Sequence, residues 1–409
     1  MKLLIIAGEE LNKENTYSSV FELHQAIALK ERGIDVAIIS LSLKGSIYSR
    51  IKQILFGEKY KLRELLNLFF FAKSLKHNIN DINVYERIGY RYIPGRFRSN
   101  ADIKRIGLKA FKSYVKHEKL PDLIHAHSRF LTSAIIALKI KKKHNLPVLI
   151  TEHSSHYARN LISEEVLCLT KKLYTEADKI IAVSSTLANI LATRIGIKLP
   201  IVIPNVLDPN YSNQVYSKNL SHDFIFLAIG TFDLNKNHEL LIKSFSKAFN
   251  GNLGFKLIIV GNGVLESHLK FLILTLGLSN QVRILGHQSR NEIKDLIIKS
   301  HVMISTSKIE TFGVVLIEAL AFGKPIISSK SGGPEDIINE YNGILFKNGD
   351  THSLGKAMIY MHSNYKKYNH QKIIDNCNRD YGPKNIAIRL EELYLDTIKE
   401  YINENKTNY

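Results

Sequence analysis

The sequence predicts an α/β protein of two tandem units, each a doubly wound parallel sheet, facing each other across a cleft. Three observations carry that prediction. The apolar runs are short, β-branched and separated by helical patterns, as expected for parallel strands buried on both faces. This rhythm breaks once, after Ile203-Pro204-Asn205, and then restarts. At 409 residues the chain has room for two domains, and its 45% hydrophobic and 23% charged content is that of ordinary globular material.

In chain order, a strand over Lys2–Ala7 leads into a helix around Ser18–Arg32. Gly33 stops that helix before a strand over Asp35–Ser40, a βαβ opening. The stretch from Ser42 to Asn100 is less regular and reads as an insertion at the sheet edge. It carries a helix near Lys59–His77 whose Leu65, Phe69, Phe70 and Phe71 suit core packing better than membrane contact. Further strands read at Asp122–His125, Pro147–Thr151 and Lys179–Val183. Residues Asp208–His222, rich in Asn, Ser and Tyr without periodicity, read as a linker. The second unit then runs through strands Phe224–Ile229, Phe255–Val260, Val282–Leu285, Val302–Ser305 and Pro325–Ser328. Its helices fall near Glu239–Phe249, Val264–Leu276, Asn291–Ser300 and from about Gly313, with a helical tail to Glu400. The domain boundaries expected are residues 1–204 and 205–385, with 386–409 a helix returning to the first domain. Tandem open sheets place a ligand between them, at the carboxyl ends of the strands.

The net charge of +18 is uneven: residues 1–200 hold 33 Lys/Arg against 18 Asp/Glu, leaving 23 against 20 for the rest. An anionic partner is therefore expected for the first half alone. Two cysteines, Cys168 and Cys377, exclude a disulfide scaffold and a four-cysteine zinc site, and read as buried thiols in a reducing compartment. The opening MKLLIIAGEE turns acidic too soon for a signal peptide, and Leu65–Ala72 is far too short to span a membrane, so a cytoplasmic protein is expected.

The chemistry concentrates in Ser305–Pro325, where a strand ends, a short loop carries Glu310, and a helix begins at Phe312-Gly313. The first N–H groups of that helix can dock a pyrophosphate, and Gly313 leaves room for its approach. Glu310, just ahead of this terminus, can accept hydrogen bonds from sugar hydroxyls. Glu318, flanked by Ile317 and Ala319, is a carboxylate in apolar surroundings that calls for a partner such as a ribose diol. His153 follows Thr151-Glu152 at a strand end. His125 and His127 are read as alternating along one strand, facing opposite sides and unable to share a metal; no metal site is expected.

Glu310-x7-Glu318 with Phe312-Gly313, followed by Ala319-Leu-Ala-Phe-Gly-Lys324-Pro325, resembles the donor-site signature of family 4 glycosyltransferases (group 1, retaining, GT-B fold). The resemblance extends along most of the chain, through Pro121-Asp-Leu-Ile-His-Ala-His127, Thr151-Glu-His153, Ala177-Asp178 with Ala182-Val-Ser184, Ile203-Pro-Asn205 with Asp208, Val260-Gly-Asn-Gly263, Leu285-Gly286 and Gly332-Gly-Pro-Glu335. It implies that Glu310 contacts the donor sugar and Glu318 the ribose, that backbone at Phe312, Gly313 and Val314 holds the pyrophosphate, and that His153 lies beside the reacting sugar. Base recognition is expected near Leu285. The family's Gly-Arg-x4-Lys diphosphate clamp is matched by Gly230-Thr231 and Lys236, so Thr231 stands where Arg is usual, and an ammonium does not replace the bidentate guanidinium. Lys308 or Arg283 could supply the second cation. The first loop, Gly8 to Tyr17, has three acids and no glycine pair, and is expected to face the acceptor.

The function implied is retaining transfer of a sugar from a UDP- or GDP-sugar, without metal or bound cofactor. The acceptor implied is a hydroxyl of a saccharide or lipid-linked saccharide in cell-surface glycan synthesis (lipopolysaccharide, capsule or O-antigen). The basic runs Arg87–Arg98, Lys104–Lys119 and Lys139–Lys143 suit peripheral contact with an anionic inner membrane surface. No nucleic-acid partner is expected, since the basic runs lack interleaved aromatics and any helix-turn-helix pattern. A non-hydrolysing sugar-nucleotide epimerase on the same fold, or a catalytically weakened relative, is the alternative.

Overall fold

A computed structural model describes residues 1–8, 11, 20–46, 74–91, 96–128, 131–216 and 222–406. In the first unit β1 (Lys2–Ile6), α1 (Val20–Glu31) and β2 (Asp35–Ser46) are followed by β3 (Ser74–Ile79), β4 (Ile82–Arg91) and α2 (Arg96–Val115). Then come β5 (Leu123–Ser128), α3 (Thr132–His144), β6 (Val148–Glu152), α4 (Glu164–Glu176), β7 (Lys179–Ala182), α5 (Ser185–Ile190) and β8 (Ile201–Val202). The eight strands lie in the order β3-β4-β2-β1-β5-β6-β7-β8, all parallel except β3 against β4. β1, β5 and β6 are buried along their length apart from Lys2, because helices cover both sheet faces.

The second unit contains β9 (Phe224–Ile229), α6 (His238–Phe249), β10 (Phe255–Val260), α7 (Glu266–Thr275), β11 (Val282–Leu285), α8 (Arg290–Lys299) and β12 (Val302–Ser305). It continues through α9 (Val314–Ala321), β13 (Ile326–Ser329), α10 (Pro334–Ile337), β14 (Gly343–Phe346), α11 (Thr351–Asn364) and α12 (His370–Tyr381). Its sheet is wholly parallel, ordered β11-β10-β9-β12-β13-β14. The predicted class, two parallel-sheet α/β units, is therefore the observed one, and β9 to β12 have the bounds read from the sequence.

The last helix, α13 (Pro383–Lys406), packs on the first unit. Its Ile386, Ala387, Leu390 and Tyr394 enter the apolar cluster of Leu3, Ile5 and Leu29. Arg32 bonds Glu391 at 2.5 Å and Lys179 bonds Glu400 at 2.6 Å. A further apolar cluster joins Val183, Leu187 and Leu191 of the first unit to Phe312, Leu316 and Ile337 of the second.

Three expectations are corrected. Of the helix read at Lys59–His77, residues 59–73 lie outside the described residues, and the remainder forms β3. Asn80 (φ 48°) and Asp81 (φ 61°) take the paired left-handed conformation of a tight hairpin turn, and this turn joins β3 to β4. The linker at Asp208–His222 opens as a packed segment: Asp208, which caps the short 3₁₀ turn Pro209–Tyr211, and Tyr211 at its end are both buried, while residues 217–221 lie outside the described residues. Cys377 is buried, but Cys168 is exposed on α4, whose apolar stripe of Leu167, Leu173 and Tyr174 it does not join. No helix among the described residues is long and apolar enough to cross a membrane.

Candidate active site

In the second sheet the strand order reverses between β9 and β12, the switch point at which open α/β sheets form a binding crevice beyond the carboxyl ends of their strands. The loop after β9 carries Thr231 and Lys236, and the loop after β12 carries Glu310. Across the crevice the Lys236 ammonium donates to the Glu310 carboxylate at 2.6 Å. Both groups are largely shielded, with 27% and 17% of their side-chain surface exposed, so the pair keeps its charges close to solvent without being immersed in it.

Each loop is held by its own short-range bonds. Asp233 accepts from the backbone N–H groups of Asn235 (2.8 Å) and Lys236 (2.9 Å) and from the Thr231 hydroxyl (2.6 Å), which together hold its carboxyl below the usual range. Asn235 stitches the two loops: its amide donates to the Ile309 carbonyl (2.9 Å) and accepts from the Ile309 N–H (3.2 Å), while its own carbonyl accepts from Lys308 (2.7 Å). Glu310 is fixed by backbone bonds to Ser331 (2.9 Å) and Gly333 (2.7 Å). A Cβ on Gly333 would come 2.4 Å from the Phe312 Cα, so this close approach needs glycine.

Gly313 caps α9 at φ 99°, which only glycine adopts at low cost, and the first N–H groups of α9 have no acceptor within the helix. Val314 follows it at the first helical position. Phe312 is buried in the interface cluster and meets Tyr381 edge-on at 5.9 Å, so its side chain is a packing group and only its backbone borders the crevice. Glu318 lies on α9, and burial pushes its carboxyl up to about 7, the Arg290 charge opposing that shift and Asp208 adding to it. Asp208, itself buried, pairs with Arg290 and lies 3.6 Å from His24 Nε2 of the first unit. At the end of β11 the Leu285 carbonyl accepts from Gly261 at 3.1 Å.

The first unit reaches this crevice from β6. The Thr311 hydroxyl donates to the carbonyl of His153 at 3.2 Å, one residue from Glu310. Glu152 is fully buried beneath it and accepts from the backbone of His153 (2.8 Å) and Ser154 (2.6 Å) and from the Tyr174 hydroxyl; burial still pushes it up to about 7. The structure thus gathers Glu310, Lys236, Thr231, Gly313 and His153 around one crevice, with Glu318 one and a half turns into α9. Lys308 is exposed beside Glu310 in sequence and Arg283 is exposed on β11, neither of them in an ion pair with the Lys236–Glu310 couple.

His125 and His127 require a correction. Residues two apart on a strand share a face, and their rings lie 4.4 Å apart, centroid to centroid. No group of three or more His, Cys, Asp or Glu side chains among the described residues is arranged to hold a metal. Asn235, Asp233 and Arg290 were not singled out from the sequence, because turn and ion-pair partners of this kind leave no periodic signal. The first-loop residues 9–10 and 12–17 lie outside the described residues; Gly8 bonds the Glu22 carboxylate at 3.3 Å.

Two parallel α/β sheets meeting at such a crevice define the GT-B class of glycosyltransferase. The chain belongs to the family 4, group 1 glycosyltransferases: the family model described as Glycosyltransferase Family 4 matches residues 19–211, and Glycosyl transferases group 1 matches residues 214–375. An uncharacterized glycosyltransferase of Methanocaldococcus jannaschii is 28% identical over 258 residues, 63% of this chain and 69% of that one. The phosphatidylinositol N-acetylglucosaminyltransferase GPI3 subunit of Saccharomyces cerevisiae is 24% identical over 288 residues, covering 67% of this chain and 63% of the yeast subunit. Among solved structures, Anabaena HepE in complex with UDP superposes with a TM-score of 0.70 at 18% identity, covering 97% of this chain and 100% of that one.

Proposed function

We propose that this glycosyltransferase moves a sugar, with retention, from a nucleoside-diphosphate sugar to a hydroxyl of a saccharide or lipid-linked saccharide acceptor of a cell-surface glycan. UDP is the first candidate base carrier and GDP the second; the UDP held by the Anabaena relative supports that order. A lipid acceptor is supported by the name of the yeast relative, a transferase acting on phosphatidylinositol. The observation that carries the reading is the Lys236–Glu310 pair at the switch point, beside the start of α9 and one hydrogen bond from the His153 backbone.

In this mechanism the diphosphate docks on the first N–H groups of α9, with Lys236 against one phosphate and Glu310 turned to the sugar hydroxyls. The anomeric C–O bond to the diphosphate breaks, and the charge that develops on the leaving oxygen is stabilised by those dipoles and that ammonium. The acceptor oxygen forms the new bond on the same face, and its proton passes to the leaving phosphate oxygen. His153 and Glu310 orient the sugar, and Glu318 receives the ribose. Thr231 in place of a guanidinium leaves Lys236 as the principal cation of this loop, supported by Lys308 or Arg283.

A thermal-shift panel of UDP-, GDP- and ADP-sugars tests donor choice, since a bound ligand raises stability by RT ln(1 + [L]/Kd). Glu310→Ala and Lys236→Ala are each expected to lower turnover of the scoring donor by on the order of a hundredfold. Wild-type turnover in both variants would remove the assignment. Product formed from the donor without any acceptor would favour an epimerase.

A further inference from the structure

The loop that carries Glu310 is held by a neighbouring segment, and that segment is held by the other unit. Glu310 bonds through its N–H to the Ser331 carbonyl (2.9 Å) and through its carbonyl to the Gly333 N–H (2.7 Å), so residues 331–333 are its backbone partner. Glu335 closes the same segment from within, its carboxylate accepting from the N–H groups of Ser331 (3.0 Å) and Gly332 (2.9 Å). The segment leads directly into α10, which carries Asp336.

Asp336 reaches across to the first unit. One of its carboxylate oxygens accepts from the Ser185 backbone N–H at 2.6 Å, and the other accepts from the Ser185 hydroxyl. That N–H is the first of α5 and has no acceptor within the helix. Ser184, which caps α5, accepts from Leu187 instead, at 3.2 Å. Asp336 thus supplies what the start of α5 lacks, from 151 positions away. Beside this contact Thr186 closes on Gly332, where φ is 116°. A Cβ there would come 3.2 Å from Thr186 Cγ2 and 2.8 Å from the Glu310 carbonyl oxygen. On the other flank of Glu310, the Thr311 hydroxyl is bound to the His153 carbonyl at 3.2 Å. The first unit therefore grips the Glu310 loop from both sides.

We infer that Asp336 is a positioning residue: by binding Ser185 it couples the docking of the first unit to the path of residues 331–333, and so sets where Glu310 meets Lys236 and the donor sugar. Asp336 touches no substrate in this scheme; it acts on Glu310 through Gly332 and Gly333. The inference rests on the proposed role of Glu310, but the coupling itself is a property of the protein alone. The Asp336–Ser185 contact lies at an exposed edge, so its loss is expected to leave the fold intact.

Hydrogen exchange resolved by peptide reads the coupling without any substrate. In Asp336→Ala, peptides spanning Glu310 and residues 331–333 are expected to exchange several-fold faster, while those of β9 keep their rate. Ser185→Ala removes only the hydroxyl, and lies in the other unit. It should give a smaller rise at the same peptides, and adding it to Asp336→Ala should change nothing further. With the donor that scores in the thermal panel, Asp336→Ala is expected to lower kcat by about 10–100-fold, as for a reacting group misplaced by up to about 1 Å, with a smaller change in KM. Asp336→Asn, whose amide oxygen can still accept from Ser185, should recover most of that loss. Unchanged exchange at Glu310 and residues 331–333 in a folded Asp336→Ala overturns the inference and leaves the transferase reading standing. Faster exchange that Ser185→Ala does not reproduce also overturns it, since Asp336 would then act only within its own unit. Faster exchange in both variants with wild-type kcat upholds the coupling and removes Glu310 from the reaction.

Discussion

Glu318 and Glu152 are two carboxyls that burial pushes from 4.5 to about 7, one on each side of the crevice. Between these values the folded chain holds protons that the unfolded chain has released. Stability from these groups is therefore full below about pH 4.5, falls as pH rises to about 7, and is level beyond. Glu318→Gln removes one such loss. Its melting temperature relative to the wild type should rise between pH 5 and pH 7.5, while UDP affinity drops if Glu318 serves the ribose. A constant difference across that range would show that burial does not perturb Glu318. The sequence pointed to Glu318 because a carboxylate between Ile317 and Ala319 is conspicuous. It said nothing of Arg290 and Asp208, which set the field around it from 28 and 110 positions away.

Loops are the working elements here, and glycines set their paths. Gly261, after β10, holds φ at 148°, and a Cβ there would lie 2.0 Å from the Gly230 carbonyl oxygen, at the root of the loop that carries Thr231 and Lys236. Gly261→Ala should therefore shift this loop, costing about 1–3 kcal/mol and most of the transferase activity. Gly277→Ala is the control: φ is 68°, so some strain is expected, but the added carbon meets nothing within 4 Å and activity should persist. Equal activity losses in the two would mean that backbone strain alone, and not displacement of the Lys236 loop, is responsible. At this scale the β9–β12 strands were legible, since continuous runs such as Phe255–Val260 have no competing pattern. The β3–β4 hairpin was not, because Lys59–His77 also fits a helical period and Asn80-Asp81 takes its left-handed turn without the glycine that marks most such turns.

At the scale of the whole molecule the charge asymmetry becomes a surface. On α2, Ile106, Ala110, Phe111 and Tyr114 are buried, while Lys109 and Lys112 on the opposite stripe, and Lys116 just past its end, stand exposed. Lys139, Lys142 and Lys143 of α3 are exposed nearby, although Lys142 is paired with Glu176 at 2.9 Å and Lys141 with Asp178 at 2.6 Å. At about 1 kcal/mol for each cation near an anionic surface, Lys109, Lys112 and Lys116 are expected to support reversible binding. Co-sedimentation with phosphatidylserine vesicles should exceed that with neutral vesicles, fall at about 0.5 M salt, and weaken in a Lys109, Lys112 and Lys116 triple alanine variant. Sedimentation indifferent to lipid charge would dispose of the peripheral-membrane proposal.

The order of strands and helices, the two-unit plan, and the loop with Glu310 ahead of Gly313 were determined by the sequence alone, because periodicity, turn chemistry and helix starts are local properties. The tertiary structure decided which distant groups meet. Tyr394 reaches His125 across 269 positions and Lys236 reaches Glu310 across 74. The packing of parallel strands sets the first contact, through the return of α13, and the reversal of strand order sets the second. The stacked histidines belong to the same class: His125 and His127 lie on β5, His153 directly follows the neighbouring β6, and only sheet register brings their rings into line.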